Sequence, residues 1–194
     1  MILVLAVVLS ILIALLRGGS LSRLAQVPFK HGWLAFIAIA LQVAAVYVQE
    51  IGNLAAWLFV GSYLILIGLI LINWRLAGVP IIGLGLGLNA LVTAVNGGYM
   101  PVTPEAVERA GLTHLVSEME AGARVLGAKD MILPRADTHL WFLGDVFVLQ
   151  GPWPTVFSIG DVLLVVGVLI FFQRAMRPAP RPEATDPEIP HIAE

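Results

Sequence analysis

Five long apolar runs, broken by three short polar connections and one long one, dominate the chain. They cover residues 1–16 (MILVLAVVLSILIALL), 33–49 (WLAFIAIALQVAAVYVQ), 55–73 (AAWLFVGSYLILIGLILIN), 78–95 (GVPIIGLGLGLNALVTAV) and 155–173 (TVFSIGDVLLVVGVLIFFQ). Each is close to the ~20 apolar residues that carry an α-helix across ~30 Å of hydrocarbon. No positive charge precedes the first run, and Arg17 rather than a small-x-small cleavage site follows it, so it reads as a retained span. The pattern predicts an all-α fold: a polytopic membrane protein of five transmembrane helices, with an extracytoplasmic, partly helical cap between spans four and five. In this reading residues 1–95 hold spans one to four, and 96–154 form an extracytoplasmic or interfacial segment. Residues 155–177 hold span five, and 178–194 a disordered cytoplasmic tail, rich in proline and charge.

Within the long connection the pattern changes. Thr103 before Pro104 predicts a helix N-cap with proline in the first turn, closed by Gly111. Leu115, Met119, Gly122 and Leu126 then recur at helical spacing, with Glu120 four residues ahead of Arg124, which predicts a second short helix ended by Gly127. Two such helices would lie on the outer membrane surface or pack as a small cap. LWFLGDVFVL, residues 140–149, is too short to cross and predicts a re-entrant or interfacial element.

Composition agrees with the pattern. Of 194 residues 59% are hydrophobic and 12% charged, against about 25% charged in a soluble domain. Mean hydropathy is +0.92. A net charge of -2 argues against a nucleic-acid partner. The absence of cysteine excludes disulfides, thiolate metal sites and cysteine nucleophiles. Basic residues fall in the first loop (Arg17, Arg23, Lys30), the third connection (Arg75) and the C-terminal segment (Arg174, Arg177, Arg181). By the positive-inside rule the N-terminus is then outside and the C-terminus cytoplasmic. Trp33, Trp57, Trp74, Trp141 and Trp153 stand near span ends, as an aromatic belt requires.

Polar residues at membrane depth need partners. In span four Asn89, Thr93 and Asn96 share one face, and Gly83, Gly87, Ala90 and Ala94 form a small-residue stripe suited to close helix approach. The polar face reads either as a ligand lining or as interhelical hydrogen bonding, with Gln42 and Gln49 of span two and Ser62 and Tyr63 of span three as counterparts. Span five opens with Ser158-Ile-Gly-Asp161, which fits a capping box, so Asp161 has a local structural reason. Asp145, in the parallel phrase LGDVF, has none, because Phe142 cannot cap. Its carboxylate needs a partner, and Arg135, Lys129 or an asparagine could serve.

The chain lacks HExxH, a phosphate loop and a Gly-x-Ser-x-Gly elbow, so no cofactor is expected. Asp145, Asp161, His114, His139, Glu118 and Glu120 leave open a metal or acid-base reading.

The phrases NGGYMPVTPEAVERAGL (96–112), LWFLGDVFVL (140–149) and FSIGDVLL (157–164) resemble the signature phrases of a bacterial family of uncharacterised polytopic membrane proteins, a domain of unknown function. The resemblance covers about residues 1–175. It implies a bacterial cytoplasmic-membrane location and brings no reaction, ligand or catalytic residue. Asn96, Gly97, Gly98, Tyr99, Met100, Pro101, Asp145, Ser158, Gly160 and Asp161 carry it.

The leading expectation is non-enzymatic: binding of a lipid or small amphipathic ligand, or of a partner membrane protein, at the outer face. Asn89, Thr93, Asn96, Tyr99, Trp141, Asp145 and Asp161 are the candidate ligand-binding residues, with the turn at residues 96–101 and both Gly-Asp phrases expected to converge at the outer membrane face. The alternatives are an enzyme or metal-dependent protein using Asp145, Asp161 and His139, and a small-molecule transporter using the Asn89 face.

Overall fold

The computed structural model describes residues 2–47, 54–116 and 119–177. The tail, Gln49 and Glu118 lie outside the described residues. The fold is mostly helical with two small sheets. Five long helices carry the apolar runs: α1 (Ile2–Leu16), α3 (Trp33–Tyr47), α4 (Leu54–Asn73), α5 (Val79–Val95) and α7 (Ile159–Ala175); α2 is a single turn, Leu21–Leu24, capped by Ser20. Of these, α4 alone is long and apolar enough to cross a membrane by length and hydropathy; α1, α3 and α5 are shorter apolar helices.

The helices stand side by side in the order α3, α4, α5, α7, α1. The first connection and the end of α7 meet at one end of the bundle: Ser20 N donates to Met176 O at 3.1 Å, and Arg23 reaches the same carbonyl at 3.3 Å. Asn73, closing α4, joins that end by exchanging hydrogen bonds of 2.8 and 2.9 Å with the Lys30 backbone. Residues 96–158 occupy the other end.

The tightest helix pair is α5 with α7, and glycine makes it. A Cβ built on Gly85 would lie 2.5 Å from Gly160 O, and one on Gly167 would lie 2.7 Å from Ile82 N and 2.9 Å from Gly78 O. These approaches are closer than any side chain tolerates. The expected stripe holds in part: a Cβ on Gly83 would lie 2.5 Å from Ile70 Cγ2 of α4, whereas the contact with α7 uses other glycines. Gly87 has open space around its Cβ position and Gly83 faces Ile70 of α4, so the contact ridge is Gly78 and Gly85 against Gly160 and Gly167. All-round apolar helices carry no periodic signal that marks which face packs.

Among the described residues the cap contains one α-helix where two short helices were expected. α6, Pro104–Ala110, starts as read, with Thr103 Oγ1 accepting from Ala106 N at 3.2 Å, and ends at Gly111, φ 72°. Among the described residues from 115 to 126 none is α-helical. Gly122 and Gly127 take φ of 92° and 72°, which turn the chain, and Val116 and Arg124 form bridges to Val125 and Met131. Two sheets complete the cap. β1 (Met100–Val102) pairs in parallel with β2 (Asp130–Ile132), Met100 opposite Asp130, and Asp145 bridges Val102 on the other edge of β1. β3 (Phe147–Leu149) pairs antiparallel with β4 (Thr155–Phe157). Residues 140–149 are thus a 3-10 turn, Trp141–Leu143, leading into a strand. Val102, Ala106, Val107, Val116, Val125 and Ile132 form the cap's own core.

Candidate functional site

The site lies where cap and bundle meet. Its floor is the start of α7. Ser158 and Asp161 form the complete capping box: Asp161 N donates to Ser158 Oγ at 3.1 Å, and Ser158 N donates to Asp161 Oδ2 at 2.9 Å. The Gly85–Gly160 approach brings Asn89 into this box. Asn89 Nδ2 donates to Asp161 Oδ1 at 2.9 Å, and Ser158 Oγ donates to Asn89 Oδ1 at 2.8 Å. Helix start and polar face, read separately in the sequence, are one network.

Above it sits a charged cluster. β1 places Asp130 on one side and Asp145 on the other, 7% and 2% exposed. Asp145 N donates to Pro101 O at 2.9 Å, which holds the Gly144-Asp145 turn against β1. Oδ1 of each carboxyl group is buried without a hydrogen-bond partner. Burial pushes the Asp145 carboxyl well above the usual carboxylate range; Lys129 opposes this, while Asp130 and Asp161 add to it. Burial also raises Asp130, against the opposing pull of Lys129 and of the hydrogen bond from Asp145. Desolvation lowers the half-buried Lys129, but Tyr63, Asp145, Asp161 and Asp130 outweigh it and hold the ammonium charged. Lys129 is the cation that Asp145 needed. Arg135 instead stacks on Trp141, its guanidinium 3.3 Å from the ring centre.

Lys129 and Asp161 face an internal cavity of about 560 Å³. All five long helices contribute to its wall. Gln42, Tyr63 and Asn89 add polarity near Lys129 and Asp161; Leu66, Leu69, Ile82, Leu86, Leu164 and Phe171 line the rest. From Asp161 to Phe171 is ten positions of α7, about 15 Å at 1.5 Å per residue. The cavity is therefore long and amphipathic, polar toward the cap and apolar below.

The sequence-predicted residues divide into three groups. Asn89 and Asp161 line this cavity, and Asp145 stands behind Lys129. Thr93 and Asn96 do not line it: Thr93 Oγ1 points to Met100 Sδ at 3.7 Å. Asn96 clamps His139, donating to its carbonyl at 2.9 Å and accepting from its N–H at 3.0 Å, while also donating to Val92 O at 2.7 Å. That clamp supports Leu140, which holds a left-handed φ of 52°. Tyr99 packs edge-on against Phe59 and lies under Arg124, whose guanidinium is 4.9 Å from the ring centre; Arg124 also reaches Ala45 O. The turn at residues 96–101 does meet both Gly-Asp phrases, through Asp145 N donating to Pro101 O at 2.9 Å and Met100 packed with Leu143 and Ile159, but the polar groups at the cavity are Asn89, Lys129 and Asp161, while Asn96 is engaged by the His139 backbone. Gln42 donates to Ser62 Oγ at 3.1 Å, as the span-two and span-three pairing predicts. Lys129 was named in the sequence only as a candidate partner for Asp145, and Asp130 not at all; nothing in their local sequence shows that β2 and the residue before it meet the bundle. Among the described residues no three His, Asp or Glu side chains gather as a metal site.

A cap-closed helical bundle with an amphipathic internal cavity is the class the fold and site define. The chain belongs to a family of unknown function, DUF5317, whose model matches residues 26–173. The match begins after α1, where the sequence resemblance began at residue 1. No curated protein and no solved structure matches the chain.

Proposed function

We propose that this protein is a multi-pass membrane protein, in bacteria of the cytoplasmic membrane, that binds a lipid or similar amphipathic molecule in the cavity between its helices. The observation that carries the reading is the cavity itself: about 560 Å³, polar at one end and apolar along the rest. A ligand with a small polar head and a long apolar body matches it on both counts.

Membrane embedding draws support from the outward surfaces. Only 28% of the apolar window of α4 is buried in the bundle, unlike the core helix of a soluble protein. Phe36, Ile39, Val43, Leu64 and Leu71 are all more than half exposed. In water such a surface would aggregate; in lipid it costs nothing. With five spans, the basic residues of the first connection, Arg75 and the end of α7 share one end of the bundle, which the positive-inside rule assigns to the cytoplasm. The cap is then extracytoplasmic, and the lipid headgroup is held at the outer face by Lys129, Asp161, Asn89 and Gln42.

The transporter reading loses two of its three residues, because Thr93 and Asn96 do not reach the cavity. The metal-dependent reading finds no group of three His, Asp or Glu side chains among the described residues to hold an ion.

The test is native mass spectrometry of the full chain released from detergent. Wild-type protein is expected to retain lipid. Leu66→Trp, which fills the cavity from a half-buried position of α4, is expected to lose it. Equal lipid retention by both proteins would refute the reading.

A further inference from the structure

The internal cavity has a neighbour. A second apolar groove of about 340 Å³ runs between α1 and α7 and is lined by Leu5, Leu9, Val162, Val165 and Val166 among others. Asp161 belongs to both spaces. Turning 100° per residue, α7 shows Asp161, Leu164 and Phe171 to the cavity and Val162, Val165 and Val166 to the groove. On α1, Leu3 faces the cavity, and Ile2, Leu5, Ala6 and Leu9 face the groove. The contact between α1 and α7, closed lower down by Gln173 donating to Ser10 O at 3.1 Å, divides the two spaces. They are two apolar slots under a single polar residue.

Resting on the lipid reading above, we infer that the ligand is a two-chain zwitterionic phospholipid, with one chain in the internal cavity, the other in the α1/α7 groove, and its headgroup between Lys129 and Asp161. A single-chain amphiphile fills only one of the slots. The headgroup assignment follows from charge. One ammonium and one carboxylate face the cavity, and the buried Asp130 and Asp145 back the ammonium from the cap side. A phosphate matches Lys129 and a ligand ammonium matches Asp161. A headgroup with a phosphate and no cation leaves Asp161 facing like charge.

The experiment measures binding of three probes to the detergent-solubilised full chain: dioleoylphosphatidylethanolamine, its one-chain lyso form, and dioleoylphosphatidylglycerol. Val166→Trp obstructs the groove from a position 41% exposed, where the fold tolerates a large ring. Val162→Trp, from a position 38% exposed, repeats the test independently. Both are expected to lower the ratio of two-chain to one-chain affinity about fivefold or more, equivalent to about 1 kcal/mol. Leu164→Trp, in the cavity, is expected to weaken both chain forms. A wild-type ratio in both groove variants overturns the two-chain assignment. Equal binding of the ethanolamine and glycerol lipids overturns the headgroup assignment. Unchanged binding of both chain forms by Leu164→Trp instead overturns the underlying cavity reading.

Discussion

Replacing Gly160 by alanine tests the architecture that creates the site. The added Cβ would overlap Asn89 Oδ1 and stand 2.8 Å from Gly85 O, with neither backbone free to retreat. Overpacking of this kind costs about 1–3 kcal/mol. Asn89 must also swing away, which removes its bonds to Ser158 and Asp161, each worth about 1 kcal/mol. The sum is about 3–5 kcal/mol, and at about 2–4 °C per kcal/mol for a chain of this size the apparent melting point falls by about 10 °C. Gly87→Ala is the control: no atom lies within 4 Å of its Cβ position, and alanine's better helix propensity is worth up to about 1 kcal/mol. The two substitutions are chemically identical and should differ in sign. The assay is thermal unfolding in detergent, followed by far-UV circular dichroism at one fixed scan rate, since unfolding of such a protein is kinetically controlled. A Gly160→Ala protein melting within about 2 °C of wild type, or below it a Gly87→Ala protein less stable still, would refute the glycine ridge.

Asn96→Leu removes all three bonds that clamp His139 and Val92, and should destabilise by about 2–3 kcal/mol in the same assay, with Leu140 released from its left-handed conformation; a wild-type melting curve would show that the clamp is incidental. Asp145 predicts a pH dependence. Its folded carboxyl binds a proton more tightly than the unfolded one, so stability is greatest below the ordinary carboxylate range and falls as pH rises through the raised value. Asp145→Asn mimics the protonated form and should reduce that loss of stability as pH rises from the ordinary carboxylate range through the raised value; equal slopes for the two proteins would contradict the assignment. Because the sequence has no cysteine, single cysteines can be introduced without altering any native thiol. A membrane-impermeant maleimide should label Gly122→Cys in the cap from outside the cell, and Arg75→Cys only after permeabilisation. The opposite pattern would invert the topology.

The apolar runs and the local helix signals were legible without coordinates. Hydropathy reports composition over a stretch, and a cap is a contact between residues three apart, so Ser158 with Asp161 and Thr103 with Ala106 could be read directly. Hydropathy could not say which face of each helix meets a neighbour. A helix apolar on every side has no pattern to reveal it, and so the stripe of Gly83, Gly87, Ala90 and Ala94 captures the approach of Gly83 to α4 but not the contact of Gly78 and Gly85 with α7. The cap was misread for a related reason. Leu115, Met119, Gly122 and Leu126 keep helical spacing, but Gly122 and Gly127 turn the chain, and the gain comes from bridges to residues near Val125 and Met131. The site itself belongs to tertiary structure. Asp145 could be recognised as a carboxylate without a local partner, yet its cation, Lys129, and its companion, Asp130, arrive on a strand that β1 alone selects. Asn89 and Asp161 are 72 positions apart, and they meet because two glycines let α5 and α7 approach to backbone contact.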